Sequence, residues 1–154
     1  MGVSGPLSNK SEHKAYAALS HYTDAGTGAC DHEPGMSEGY EKQDATLFAQ
    51  WKIDMLKIDN CGVHETNQTV VARWKAEISA TGRPILFSNC HNGCGNDPFM
   101  PAFAGGWADW CGNDTNMWRT SRDIEPNWVH VMFNLHTLAG IGWRAKPGQV
   151  STDL

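Results

Sequence analysis

The chain has 154 residues, 40% of them hydrophobic and 19% charged, enough for one domain with a core and too few for a comfortable second. That composition excludes collagen-like, disordered and disulfide-dense classes, and no run of about 18 apolar residues is present to form a transmembrane helix. A formal charge of −5, from 12 Lys and Arg against 17 Asp and Glu, argues against a partner made of nucleic acid. Seven Trp and sixteen Gly suit a surface that stacks apolar ligands or sugar rings, although composition does not choose between packing and binding.

The five cysteines, Cys30, Cys61, Cys90, Cys94 and Cys111, are odd in number, so at least one stays outside any intrachain bridge. Three Asn-x-Ser/Thr triplets, at Asn9, Asn67 and Asn113, are a mild secretory hint. The N-terminus has no basic segment followed by an apolar stretch, so no signal peptide is expected. These two observations agree only if an upstream portion is missing. Pro6 at the sixth position argues against myristoylation.

Residues 1–18 read as a loose lead-in with a short helix near 10–18. A strand is expected over 19–23, broken by Asp24-Ala25-Gly26-Thr27-Gly28 and followed by a Gly-rich loop to about Gly39. From Tyr40 the pattern is helical, with Leu47, Phe48 and Trp51 apolar and Glu41, Lys42 and Gln43 polar. Residues 54–59 predict a strand ended by Asn60-Cys61-Gly62. Residues 66–80 predict a helix whose stripe is Val70, Val71, Trp74 and Ile78, with Gly82 just past its end. Another strand is expected over 84–88, then a Gly/Asn/Pro-rich stretch to about Gly106. Strand pieces are expected at 107–110 and 117–119. Pro126 opens a helix in which Trp128, Met132, Leu135 and Ala139 share a face. Residues 140–154 show no period. Trp51, Trp74 and Trp128 sit on helix stripes and are expected in the core; for Trp107, Trp110 and Trp118, packing competes with a sugar-facing role.

Alternating strands and helices imply βαβ units and a parallel sheet, and such sheets bind ligands at the C-terminal ends of their strands. Those ends read Tyr22-Thr23-Asp24, Lys57-Ile58-Asp59, Ser88-Asn89-Cys90-His91 and the segment Trp118 to Asp123. Asp59 is the strongest candidate for chemistry. Lys57, two residues earlier on the same face of the strand, can hold its carboxylate ionised as a nucleophile requires. On pattern alone, a strand-end Asp that caps the next turn is the favoured reading of Asp59. Asp123 is a second candidate, as a general acid/base with Arg119 gripping a ligand hydroxyl; its place before a helix also fits an N-cap. Cys90-His91-Asn92-Gly93-Cys94 is a poor zinc signature with no second cluster to complete it, so no metal is expected. No phosphate-cradling Gly motif and no G-x-S-x-G occurs, and no cofactor is expected.

Three segments together resemble glycoside hydrolase family 27, the α-galactosidase family. These are Tyr22-Thr23-Asp24-Ala25-Gly26-Thr27 followed by Cys30; Gln43-Asp44-Ala45-x-x-Phe48-Ala49-x-Trp51 running into Leu56-Lys57-Ile58-Asp59-Asn60-Cys61; and Gly82-Arg83-Pro84-Ile85 with Ser88-x-Cys90, then Trp118-Arg119-x-x-x-Asp123-Ile124 and Asn127-Trp128. Their order and spacing match over roughly residues 20–140. The resemblance implies a (β/α)8 barrel and a retaining mechanism, with Asp59 as the nucleophile and Asp123 as the acid/base, two carboxyl groups about 5–5.5 Å apart. It implies a sugar subsite drawn from Tyr22, Lys57, Cys90, His91, Trp118 and Arg119. It also implies a Cys30–Cys61 bridge, worth about 3–4 kcal/mol if unstrained, and a Cys90–Cys111 bridge that leaves Cys94 as the odd thiol.

Where many α-galactosidases carry Glu-Trp after Cys90, this chain has His91-Asn92, at a position that reads the sugar's second carbon. N-acetylgalactosamine, β-L-arabinopyranose and a glucan therefore stay open beside terminal α-galactose. A closed barrel takes at least about 200–250 residues. The expected organisation is a lead-in at 1–18, a partial α/β barrel at 19–145 holding about strands three to six, and a divergent tail at 146–154. The family's second-strand Asp-Asp pair is absent. A truncated or spliced piece is the expectation, either catalytic in its parent protein or a non-catalytic carbohydrate-binding remnant. An open half-sheet exposes two edges and a bare apolar face, so poor solubility or a homo-oligomer is expected unless the remainder is supplied. A secreted or lysosomal home follows from the resemblance; no membrane partner is expected.

Overall fold

The computed structural model describes residues 19–30, 36–90, 94, 109–121 and 123–137. In chain order these form β1 (Ser20–Asp24), α1 (Glu41–Gln50), β2 (Met55–Asp59), α2 (Asn67–Ala80), β3 (Leu86–Asn89), α3 (Asp109–Asp114), β4 (Met117–Trp118) and α4 (Trp128–Thr137). The strands make one sheet in the order β1-β2-β3-β4, every neighbour parallel. The expected lead-in and tail, and the short helix near 10–18, lie outside the described residues.

Alternation along β2 sets the layers. Leu56 and Ile58 are fully buried, while Met55, Lys57 and Asp59 between them are only partly so. One face of the sheet therefore packs under helices and the other carries the polar side chains. The core joins Leu56, Ile58 and Phe87 from the sheet to Phe48 of α1 and to Val70, Val71, Trp74 and Ile78 of α2. Spacings of one, four and eight residues put the α2 side chains on one stripe. Thr66 caps α2, its hydroxyl accepting the Thr69 N–H at 3.3 Å. Gly82 follows it at φ +71°, a left-handed conformation that favours glycine. The partly buried Arg73 of α2 donates to the buried Glu41 at the start of α1 at 2.7 Å, tying the two helices together.

Three expectations are corrected. The strand piece at 107–110 is not formed where it is described: Trp110 belongs to the helix α3, and residues 107 and 108 lie outside the described residues. Lys75 of α2 meets the end of that helix, donating to the Asn113 carbonyl at 2.9 Å and to Asp114 at 2.8 Å, and a cation favours a helix C-terminus. Second, Trp51 and Trp128 are not core residues, being 52% and 72% exposed, whereas Trp74 is fully buried. Trp51 closes the end of α1 and rests against the His21 and Phe48 rings. On α4 the buried side chains are Asn134 and Thr137, so the apolar stripe of Trp128, Met132 and Leu135 points outward.

The third correction concerns sulfur. Cys30–Cys61 is bridged as the resemblance implies, but Cys111 pairs with Cys94, not Cys90. Side-chain alternation explains the choice. Cys90 extends β3, its N–H donating to the Ile58 carbonyl at 2.9 Å. That puts its side chain on the polar face, opposite Asn89. Cys111 lies on α3 in a small cluster with Cys94 and Trp118. Cys90 is a buried thiol outside both bridges. Denatured but unreduced chain is expected to titrate one thiol with a disulfide reagent, and Cys90→Ser to titrate none. Cys94→Ala, opening a bridge that spans 17 residues, is expected to cost about 3 kcal/mol in urea unfolding. A Cys90→Ser variant that keeps its thiol count would show the pairing is otherwise.

Candidate active site

The polar face gathers its functional groups by register. Tyr22 pairs with Lys57 and Lys57 with Ser88 across three strands. One step toward the C-terminal ends, Asp24 pairs with Asp59. Cys90 follows β3 and Arg119 follows β4 at the same level, the Arg119 N–H donating to the Asn89 carbonyl at 2.9 Å. Adjacent strands lie about 4.8 Å apart, so Asp24, Asp59, Cys90 and Arg119 form one row along the C-terminal edge.

Asp59 is held by two donors. The Tyr22 hydroxyl donates to Oδ2 at 2.7 Å and the Asn60 N–H to Oδ1 at 2.8 Å. Burial, then the hydrogen bond it donates to Asp59, pushes the Tyr22 phenol above its ordinary range and keeps it a donor. Arg119 pairs with Asp123, four residues on. Burial alone would lower the Arg119 guanidinium, but negative potential from Cys90, Asp123 and Asp59 outweighs it and holds the pKa above the usual value. Arg119 thus stands at the level of Asp59 on the sheet and is paired with Asp123. Asp123 is 85% exposed at its side chain and open to solvent.

The Asp24 side chain was not among the residues that sequence reasoning assigned to the site. It is fully buried, and its carboxylate, that of Asp59 and the sulfurs of Cys30 and Cys61 lie within 4.8 Å of one another. With both sulfurs in one bridge, that group offers a cation no thiolate pair. Burial raises Asp24 to about 6; the Gly26 N–H opposes the shift and the Asp59 charge adds to it. The loop after β1 lies against the loop after β2: a Cβ on Gly26 would stand 1.9 Å from the Cys61 carbonyl oxygen, so only glycine fits. The missed signal was the register, since Asp24 ends its strand directly across from Asp59.

A native pKa above the unfolded one means that folded Asp24 holds its proton more tightly. Its contribution therefore weakens stability as pH rises from about 4 through about 6, on the order of 2–3 kcal/mol over that window. Asp24→Asn is expected to remove the decline, which urea midpoints of both proteins between pH 4 and 7 measure. Parallel pH profiles would contradict the assignment.

The structure brings Tyr22, Lys57, Asp59, Cys90 and Arg119 to one face, with Asp123 paired to Arg119. It does not bring Trp118 there. Trp118 shares the parity of Ile58 and Asn89, is 1% exposed and packs with Cys94 and Cys111. His91 lies outside the described residues.

A family model described as alpha galactosidase A matches residues 7–141. The chain belongs to that α-galactosidase family, glycoside hydrolase family 27. It is 40% identical over 119 residues to alpha-galactosidase 2 of Arabidopsis thaliana, covering 75% of this chain and 27% of that protein. It is 35% identical over 130 residues to the alpha-N-acetylgalactosaminidase of Homo sapiens, covering 78% and 28%. The solved alpha-galactosidase I from Mortierella vinacea superposes with a TM-score of 0.67 at 25% identity, covering 86% of this chain and 37% of that one. The chain thus spans under a third of the curated relatives' length, and its parallel sheet with helices is a partial α/β fold of the TIM-barrel type found in this family.

Proposed function

We propose that this chain carries the two catalytic carboxyl groups of a retaining glycoside hydrolase acting on terminal α-galactosides, and that its four strands correspond to the third to sixth of an eight-stranded barrel. The observation that carries this reading is Asp59 at the C-terminal end of a parallel strand, oriented by Tyr22 and Asn60, at the same level of the sheet as Arg119, which pairs with Asp123.

Two donors fix the Asp59 carboxylate against rotation, which sets the direction of a lone pair toward an anomeric carbon. In the first step Asp59 attacks that carbon and forms a glycosyl ester, while Asp123 gives a proton to the departing oxygen. In the second, Asp123 takes a proton from water, which attacks the same carbon and frees Asp59; two inversions give retention. Lys57 and Tyr22, side by side on the polar face, contribute positive charge and a hydroxyl to the sugar subsite, and Arg119 holds Asp123 in place. Two disulfides fit folding in an oxidising compartment, secretory or lysosomal.

The test is hydrolysis of p-nitrophenyl α-D-galactopyranoside by this chain and by a longer chain that supplies the remaining strands, beside the α-N-acetylgalactosaminide and the β-L-arabinopyranoside. Retained galactose as first product, with a fluorinated galactosyl fluoride trapped on Asp59, is expected. Inverted product, or label on another residue, refutes the mechanism. Galactose binding without turnover in either chain would favour the carbohydrate-binding remnant.

A further inference from the structure

Asp24 takes no part in the proposed chemistry, yet it stands beside the residue that begins it. It ends β1 directly across the register from Asp59, is fully buried, and presents a carboxylate oxygen within 4.8 Å of one of Asp59. Its Oδ1 accepts the Gly26 N–H at 3.2 Å, and the N–H groups of Ala25 and Cys61 also favour its anionic form. Those bonds hold the carboxyl between the loops that follow β1 and β2. Among the described residues, the titratable groups packed against it are Tyr22, which donates a hydrogen bond to Asp59 at 2.7 Å, and Asp59 itself; Cys30 and Cys61 are bridged and do not titrate. Lys57 registers one step back, against Tyr22. Cys90 and Arg119 follow strands beyond β2, and Glu38, in the loop after β1, faces His64 at 3.5 Å. Two carboxyl groups this close, one of them out of water, do not ionise independently: burial raises Asp24 to about 6, and the Asp59 charge adds to the shift.

We propose that Asp24 is the charge partner of Asp59 in the reaction: a positioning residue, untouched by the sugar, that keeps its proton while Asp59 is anionic and releases it when Asp59 becomes a glycosyl ester. The inference rests on the proposed role of Asp59 as nucleophile. In the first step an Asp59 oxygen bonds to the anomeric carbon, the bond to the leaving oxygen breaks, and that oxygen takes the Asp123 proton. The Asp59 charge is then gone, and with it the repulsion that favoured the neutral Asp24 carboxyl, so Asp24 gives its proton to solvent. In the second step Asp123 takes a proton from the attacking water, the ester bond breaks, and Asp59 regains its charge. Asp24 then takes a proton back from solvent. Protons balance over the cycle, and at mildly acid pH the pair carries a single negative charge in both states. The coupling also acts in the other direction. With Asp24 ionised, ester formation relieves a repulsion between two charges and is favoured by it. The two sites share one interaction energy, so each affects the other's equilibrium by the same factor.

The first measurement needs no turnover. Carbon-13 NMR of labelled aspartate carboxyls in this chain follows Asp24, assigned by the loss of its signal in Asp24→Asn. Its midpoint is expected at about 6 in the parent and about one unit lower in Asp59→Asn, whose amide lacks the charge as an ester does. Asp59→Ser replaces that variant if its far-UV circular dichroism shows a lost fold. An unchanged midpoint overturns the proposal, since burial alone then holds the proton. The second measurement is kcat/KM for the nitrophenyl α-galactoside between pH 4 and 7, in the longer chain that supplies the remaining strands. Relative to Asp24→Asn, the parent is expected to gain up to about tenfold as pH rises through about 6. A purely structural Asp24 would lower the variant by one constant factor at every pH, and that result also overturns the proposal. A coupled pair without turnover in either chain refutes the glycosidase reading and this proposal with it. Turnover with the trapped sugar on Asp59 and an uncoupled Asp24 refutes the proposal alone.

Discussion

Asp59→Asn is expected to lower kcat on an aryl α-galactoside by about 10⁴-fold or more, on the order of 5 kcal/mol of transition-state stabilisation, in whichever chain length turns over. An amide has no charge to develop a bond to the anomeric carbon. The local structure should survive, because the amide oxygen can still accept the Asn60 N–H while the amide nitrogen donates to Tyr22, whose hydroxyl serves as donor or acceptor. An Asp59→Gly variant given azide should form the glycosyl azide of inverted configuration, one displacement in place of two. Asp123→Asn should behave differently: its loss should be small for a nitrophenol leaving group, which needs no proton, and large for a sugar. Equal losses on both substrates would remove Asp123 from the acid/base role.

Trp74→Ala is expected to cost about 3–5 kcal/mol, measured as a fall in urea midpoint at unchanged slope. Trp74 is fully buried at the centre of the α2 stripe, beneath the sheet. A single domain commonly has only about 5–15 kcal/mol in all, so this one change approaches the threshold of folding. Trp74→Phe should cost far less. The indole Nε1 is buried without a hydrogen-bond partner among the described residues, so phenylalanine gives up part of a ring and also removes an orphaned donor. Similar losses for both substitutions would show that the indole nitrogen is not the unfavourable element.

Elements that carry their own local signals were readable from sequence. β2 alternates apolar and polar, and α2 has a Thr66 cap, a clean stripe and a terminal glycine. Asp59 could be picked because it ends such a strand beside Lys57. What escaped depends on distant partners. α3 is six residues long and is held by a bridge to Cys94 and by Lys75, neither visible in its own pattern. The α4 stripe is amphipathic as expected, yet the helix buries Asn134 and Thr137, since periodicity names an apolar face without saying what covers it. Cys90 and Cys94 are four residues apart, and only strand parity decides which can meet Cys111. Asp24 was passed over because a carboxylate across a register is a property of two strands.

The ends of β1 and β2 are joined in three ways: the Cys30–Cys61 bridge, the Ala25 N–H donating to the Asp59 carbonyl at 2.9 Å, and the close seat of Gly26 on Cys61. Neither loop can open alone. Amide hydrogens at 25–28 and 60–62 should therefore exchange with deuterium as one cooperative unit, and reduction of the bridge should speed both segments together. The position of Asp59 is then a property of a covalent ring of backbone, and its mobility is set by the slowest link in that ring.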